Sequence, residues 1–531
     1  MTHNSVLAML LATSALAFVA PAFAQVVPPE QQEAEPPADA PSPEDASLLT
    51  VPAEEANPSA ADAKTALLEA QIEAMQKQLD ELKAQVTKVT PSWKGAPQFA
   101  DEKAGFTFKV RGRLMLDAAY TSRPDNFVTN RNLGFNTRVR RFRIGVEGTL
   151  PGEFGYKAEV DYANAAVGFG DVILTYAPKN APLTIQLGNQ ESLNGLEQMT
   201  SSRWSSFIER AQINDAFGNS RRLGITIGTQ SKDGLLRFTA GAFAAHSIDA
   251  SLDNDGYIVA TRATYSPYAL NGFLHLGFNA QYRNFQSNDN AVASNSVGAP
   301  STNQIARYRA RPFLQTTDVR FVDTGNFAAK SDVVIGLEAY GIFKSLHLGG
   351  EAQIVKVRSY SAGDRATGLD AFTGGSVVTP VDDPTFFGGH FEIGYFLTGE
   401  TRGYKNGLFD RTKVLKPFNQ GGTGAFQLIG RIDYLDLDSA RLKNGLTNNF
   451  ATGVTSLAAA NTRLGRGGKQ TGYLGGLTWI PTDYVRFLLN YIHTEVEGGP
   501  LAATTVPISS KTVDKRKFST DAVALRAQID F

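Results

Sequence analysis

The 531-residue chain contains no cysteine, which excludes a disulfide framework, thiolate metal ligation, cysteine catalysis and a lipidated N-terminal cysteine. Beyond residue 20 it lacks any apolar run of 18 residues, so helices do not carry it through a bilayer. Arginine is missing from the first 110 positions: Arg111 is the first of thirty. A net charge of −1 conceals this asymmetry. Residues 1–104 hold six lysines against fifteen acidic side chains, and the remainder holds 45 basic and 37 acidic ones, a net charge of about +8. Near-neutrality of the whole therefore says nothing against a charged partner.

The acidic part divides further. Residues 6–20 are apolar and are followed by Pro21 and the small-residue pattern Ala22-Phe23-Ala24, which marks 1–24 as an export signal. Its leading end has His3 but no Lys or Arg. Residues 25–61 are rich in Pro, Ala and acids and have no basic side chain, so they cannot build a core and read as a disordered spacer. Within 62–90, Leu68, Ile72, Met75, Leu79, Leu82, Val86 and Val89 recur at alternating spacings of four and three, the seam of a short coiled-coil helix. Such a helix alone exposes apolar surface and calls for partners; lying on the rest of the protein, or tethering the membrane to periplasmic partners, are the other uses of that seam. Residues 91–104 read as a linker.

From residue 105 the period changes to two. Phe106, Phe108, Val110, Leu114, Leu116, Ala118 and Tyr120 alternate with Thr107, Lys109, Arg111, Arg113, Met115 and Asp117, so a strand here has one apolar and one charged face. Similar alternation recurs in about sixteen segments of roughly ten residues, the length that crosses a bilayer at barrel tilt. The last runs through Val523, Leu525, Ala527 and Ile529 to Phe531, where the chain ends. Tyr120, Tyr162, Tyr176, Tyr265, Tyr434, Trp479 and Tyr491 stand near strand ends, as in an aromatic girdle. The fold expected for 105–531 is thus all-β: a transmembrane antiparallel barrel of about 16 strands whose polar interior is a water-filled channel. Tight connections such as 151–153 and long ones at 189–220, 284–330, 358–385, 399–423, 438–470 and 494–518 read as the two ends of that barrel.

Basic residues cluster where a channel selects its ions. Arg138, Arg140, Arg141 and Arg143 open the second strand, and Arg141 and Arg143 share a face with Arg111 and Arg113. Arg203 and Arg210 lie seven residues apart in a segment that reads as a short helix, Thr200–Arg210, two turns that would aim both guanidiniums the same way. Arg307, Arg309 and Arg311, with Arg320 beyond, alternate along an extended segment like rungs. Guanidinium keeps its charge and forks onto phosphate or carboxylate, and rings of Arg or Lys select anions. For any one of these arginines, pairing with Glu147, Glu159 or Asp161 on neighbouring strands is the plainer use.

The residues Phe106-Thr-Phe-Lys-Val-Arg-Gly-Arg113, Arg140-Arg-Phe-Arg-Ile-Gly-Val-Glu-Gly148, Thr200-Ser-Ser-Arg-Trp204 with Glu209-Arg210, Tyr395-Phe-Leu-Thr-Gly-Glu400, Gly424-Ala-Phe-Gln-Leu428 and the terminal aromatic, in that order and spacing, resemble the phosphate-selective porin O and P family. The resemblance implies a sixteen-stranded outer-membrane barrel, usually a homotrimer, with inward loops bearing an arginine ladder to a central anion site. By local match it implies pore or central-site roles for Arg113, Arg140, Arg141, Lys157, Asp171, Arg203 and Arg210, and a ladder of Arg307, Arg309 and Arg311; Arg143 and Arg320 extend the set by position. Phosphate-selective members carry a loop lysine just before the Thr-Ser-Ser segment, where this chain has Gln198 and Met199. The function expected is passive diffusion of small oxyanions, phosphate or polyphosphate favoured, with a general or small organic-acid porin as the alternative. Small inorganic anions and outer-membrane lipid are the expected partners, with no cofactor, metal or nucleic acid. An enzyme is not expected, because His3, His246, His275, His347, His390 and His493 fall in scattered segments without a nucleophile elbow or metal spacing.

Overall fold

The computed structural model describes residues 58–86 and most of 92–531; residues 125–132, 164–166, 249–255, 286–304, 360–376, 443–466, 503–512 and positions 94, 102, 379 and 381 are not described. The export signal and the spacer as far as residue 57 therefore lie outside the described residues, as do 87–91. The chain forms two units. One helix spans Pro58–Val86, starting within the stretch read as spacer, and the first unit ends inside it, at Gln78. Leu68, Ile72, Met75 and Leu79 are each at least half exposed on it. The side chains of Leu82 and Val86, and Val89 altogether, fall outside the described residues.

The second unit is a closed sheet of sixteen long antiparallel strands. They are β1 (Phe106–Thr121), β2 (Gly134–Leu150), β3 (Phe154–Asp161), β4 (Gly168–Tyr176), β5 (Leu183–Gln190), β6 (Arg222–Gln230), β7 (Leu236–Ala244) and β8 (Tyr257–Tyr265). The second half continues with β9 (Gly272–Asn284), β10 (Asn326–Phe343), β11 (Leu346–Ser359), β12 (Thr385–Phe396), β13 (Ala425–Asp436), β14 (Lys469–Thr482), β15 (Val485–Glu497) and β16 (Lys517–Asp530). Each pairs with its neighbour in sequence, and β16 returns to β1 through the register Ala522↔Thr121 to Asp530↔Arg113. The stretch 91–104 is more than a linker: Ser92–Trp93 and Pro97–Asp101 pair with each other, and the second extends onto β1.

Alternation puts the apolar side chains outside. Leu116, Leu337, Phe391, Ile432 and Leu525 are exposed, whereas Arg113, Asp117, Glu338, Asp433 and Arg526 are buried inside. This inverts a soluble protein, as a barrel solvated by lipid requires, and closure satisfies the backbone without a free edge. The phase slips once on β2. Met115 faces Arg141 and Leu116 faces Val139, so Arg140 is an extra, bulged residue. Without the slip one of two adjacent arginines would point to lipid; with it, Arg140 and Arg141 both turn inward, between exposed Val139 and Phe142.

Strand order corrects one reading of the loops. Connections after odd-numbered strands are the long ones, and those after even-numbered strands are short turns such as 151–153, 344–345 and 483–484. Residues 399–423, grouped by length with the long loops, follow β12 and so belong to the short-turn end. At this connection, length and strand count disagree, and the strand count decides the end of the barrel. This insertion contains a hairpin of Gly403–Lys405 and Leu408–Asp410.

Candidate functional site

Three segments enter the barrel. The largest is 191–221, between β5 and β6. It contains a turn of helix at Leu196–Met199, a 3-10 turn at Ser202–Trp204 and a short helix at Gln212–Ala216. Residues 200–210 are therefore not the continuous helix read from sequence. The barrel wall supplies the partners that a helix would have supplied internally: Arg486 and Gln528 donate to the Arg203 carbonyl, Arg526 donates to the Ile208 carbonyl at 2.5 Å, and Asn490 accepts from the Ile208 N–H at 2.8 Å. Serines at 201, 202, 205 and 206 also favour turns over helix.

An ionic anchor fixes this loop. Arg431 on β13 donates to Glu197 at 2.5 Å and to Glu392 on β12 at 2.6 Å, all three buried, and its guanidinium lies 4.7 Å from the ring centre of Phe207. Glu197 also accepts from the Ala211 N–H at 2.8 Å and from Asn214 at 2.9 Å. Phe207 and Ile208 pack with Ile429, Leu474, Leu488 and Ile492 of the wall. The loop thus leans on β13–β16 and leaves open space toward β1–β4.

The second segment, 305–325, precedes β10. Arg307, Arg309 and Arg311 alternate with buried Tyr308 and Ala310, so the three share a face. Two are ion-paired. Arg307 forks onto Asp323 at 2.9 and 2.5 Å; Arg311 reaches Asp215 at 3.3 Å, and Arg320 meets the same carboxylate at 2.6 Å. The third segment is the 403–410 hairpin from the opposite end. Tyr404 bonds His275 and Ser266, each at 2.6 Å, Arg262 donates to the Gly407 carbonyl at 3.1 Å, and the Phe409 N–H reaches Thr200 of the large loop at 3.3 Å.

Two cavities lie between these segments and the wall at β1–β4. The outer, about 100 Å³, lies against Arg140, Arg311 and Asp215; the inner, about 380 Å³, lies against Arg111, Arg113, Arg143 and Lys157 of β1–β3. Arg141 and Arg210 line both. The two linings meet at this pair, the neck between them.

The balance of charge singles out that neck. Arg113 bonds Glu159 at 3.4 Å, Arg143 bonds Glu159 at 2.8 Å and Asp161 at 2.7 Å, and Arg111 bonds Glu147 at 2.5 Å. Asp171 accepts from both Lys157 and Arg221, while Glu209 accepts from Arg140 at 2.6 Å and Arg526 at 3.1 Å. Burial alone would raise the Glu209 carboxyl; the Arg140 guanidinium overrides it and holds the group well below the usual carboxylate range. Arg141, Arg203 and Arg210 differ. Among the described residues they bond no carboxylate: Arg141 approaches the Met115 sulfur at 3.6 Å, Arg203 the Ser201 hydroxyl at 3.3 Å, and Arg210 the Gln198 amide oxygen at 3.3 Å and the Thr200 carbonyl at 2.8 Å. Burial, and then neighbouring Arg111, draws Arg203 down to about 10, which leaves it charged at neutral pH.

Of the residues singled out by sequence, the inner cavity gathers Arg113, Arg141, Arg143, Lys157, Asp171, Arg203 and Arg210, and the outer adds Arg140 and Arg311. Arg307, Arg309 and Arg320 stand outside both linings. Several contributors were not legible: Arg221, which neutralises Asp171 and Glu191, the Glu197–Arg431–Glu392 anchor, and the whole hairpin with Lys405. Arg431 was findable, since it occupies an inward position of β13 between exposed Leu428 and Ile432. Among the described residues no His, Asp and Glu group is arranged to hold a metal ion.

Comparison with known proteins adds the following. Residues 108–531 match the model of a family described as phosphate-selective porin O and P. The chain is 31% identical over 455 residues to an uncharacterized protein of Caulobacter vibrioides, spanning 84% of this chain and 77% of that one. It is 24% identical over 436 residues to Porin O of Pseudomonas aeruginosa, spanning 76% and 86%. Among solved structures it is similar to an anion-selective porin from Comamonas acidovorans, with 12% identity, 80% of this chain and 100% of that one covered, and a TM-score of 0.43.

Proposed function

The chain belongs to the phosphate-selective porin O and P family and is a porin of the outer membrane, and we propose that its channel passes small oxyanions by diffusion, phosphate among them, through the neck at Arg141 and Arg210. The observation that carries this reading is the pair of guanidiniums that line both cavities without a carboxylate of their own. A channel wall whose cations are all neutralised attracts neither sign strongly. Two uncompensated guanidiniums at its narrowest part repel cations and replace part of an anion's hydration shell. Release is then helped by the paired arginines on either side, which can exchange a carboxylate for the passing anion and take it back. Arg311 and Arg140 serve the outer side in this way, and Arg113 and Arg143 the inner.

Planar-bilayer recordings in a KCl gradient test the reading. The reversal potential is expected to show chloride preference, and added phosphate is expected to reduce the chloride current. Preference for potassium overturns it.

For the N-terminal helix we infer a role in holding copies of the chain together. Its exposed Leu68, Ile72, Met75 and Leu79 form a self-complementary seam, and the flanking Gln71 and Gln78 are uncharged, so parallel copies meet without like-charge repulsion. Barrels inserted in one membrane share a direction, which makes the parallel arrangement the accessible one; the trimer of the family resemblance is the number proposed. Ile72→Lys with Leu79→Lys is expected to lower the melting temperature of the native oligomer on unheated gels. An unchanged oligomer would remove the helix from assembly.

A further inference from the structure

We propose that the inner cavity is a binding site for oxyanions that carry an apolar ring, aryl carboxylates above all, rather than for inorganic anions alone. The proposal rests on the anion path through Arg141 and Arg210 and names the guest that suits its inner side.

The two walls of this cavity differ in kind. One is strand and cationic, with Arg111, Arg113, Arg143 and Lys157. The other, formed by the large loop and the hairpin, is mixed: among Arg203, Arg210, Lys405 and Asp410 it presents Met199, Trp204, Leu408 and Phe409. Trp204 and Leu408 are half-buried and pack against one cluster built on Leu196, Tyr340 and Phe409, so this wall is held in place before any guest arrives. A bare phosphate meets the cations of this wall but keeps its water against the four apolar side chains and gains nothing from them. An aryl carboxylate releases water on both sides, with its ring against the indole, thioether and leucine and its carboxylate on the guanidiniums. Small-molecule sites have this make-up, apolar surface with a few placed polar groups, in volumes of about 300–1,000 Å³. The inner cavity, about 380 Å³, lies in that range, and the outer, about 100 Å³, does not.

Charge placement agrees. Trp204 has the Arg203 and Arg411 guanidiniums over its ring, 5.0 and 4.5 Å from the ring centre, so a carboxylate on a guest packed beside the indole has cations within reach. Gln198 sits beside the neck, bonded to Arg210 and Glu191. Its neutral amide adds no further point charge there, which suits a singly charged head group better than a multiply charged one.

The test is block of chloride current in bilayers holding the full-length porin, titrated with benzoate, acetate and phosphate at neutral pH. Benzoate and acetate share a head group and differ by the ring. Half-block by benzoate is expected at about tenfold lower concentration than by acetate. Trp204→Ala and, separately, Leu408→Asn are expected to remove most of that difference while phosphate block stays within about twofold. A channel that prefers anions and is blocked by phosphate, but treats benzoate like acetate, overturns this inference and leaves the anion path standing. A cation-preferring channel overturns both.

Discussion

The Arg141→Ala, Arg210→Ala double variant is expected to weaken phosphate block of the chloride current by about a hundredfold and to move the reversal potential toward zero. A hydrogen bond to a charged group contributes about 1.5–3 kcal/mol, and 1.4 kcal/mol is a factor of ten. Each single variant should therefore cost about tenfold or more. Arg143→Ala provides the contrast. It frees Asp161, which Arg143 holds at 2.7 Å, and leaves Glu159 to Arg113 alone at 3.4 Å, so its effect comes from added negative charge and should fade in high salt. Removing the two neck arginines deletes binding groups, and their loss should persist there as weaker phosphate block. Titration of phosphate at two salt concentrations, with the wild type and the four variants, separates the cases. Wild-type block by the double variant would move the anion site away from the neck.

Arg431→Ala is expected to open the channel while destabilising it. The guanidinium is enclosed by Glu197 and Glu392, and removing one member of a buried ionic group costs about 3–5 kcal/mol, here chiefly because Glu197 loses its guanidinium, whereas Glu392 keeps Arg402 at 2.7 Å. Glu197 also organises the loop from within, through the Ala211 N–H and Asn214. Once the anchor goes, the 200–210 part of the loop keeps Phe207 and Ile208 in the wall, the bonds from Arg486, Gln528, Asn490 and Arg526, and the Arg140–Glu209 pair, while the turn at Glu197 loses its tie to β13. Single-channel conductance should rise and become noisy, and the urea midpoint of the barrel in vesicles should fall. Quiet, wild-type conductance would mean that apolar packing alone secures the loop. Glu392→Gln, which leaves Arg431 paired to Glu197, is expected to show the smaller change of the two.

The barrel was legible because lipid imposes a rule on every crossing strand: apolar out, polar in, over about ten residues. All sixteen long strands fall where that alternation was read. What escaped were departures from the rule. At Arg140 the bulge adds one residue to β2, and strict alternation would send Arg140 and Arg141 to opposite faces. At 200–210 the heptad spacing of Arg203 and Arg210 imitated a helix, yet both line the inner cavity because wall side chains bind the loop carbonyls. The rungs at 307–311 do share one face, but their acidic partners, Asp323 and Asp215, come from other parts of the chain, which no local pattern announces. The hairpin at 403–410 was hidden by counting its length instead of its place in the strand order.

The seam between β16 and β1 bears on how the molecule comes to exist. Arg526 grips Asp117 across 409 residues at 2.6 and 2.7 Å, and Gly112 and Phe531 exchange both backbone hydrogen bonds at 3.1 Å. The Phe531 ring lies where a Cβ on residue 112 would stand, 2.1 Å away, so glycine is the residue that lets the end of the chain seat. Bringing such distant ends together carries an entropy cost of roughly 5 kcal/mol, recovered only when the whole seam zips at once. Until then the growing sheet has two unpaired edges that can add strands from other molecules. The strand Lys517–Asp530 is the one that closes the ring on Phe106–Thr121, so every stage of assembly before that pairing is an open, sticky sheet in need of shelter.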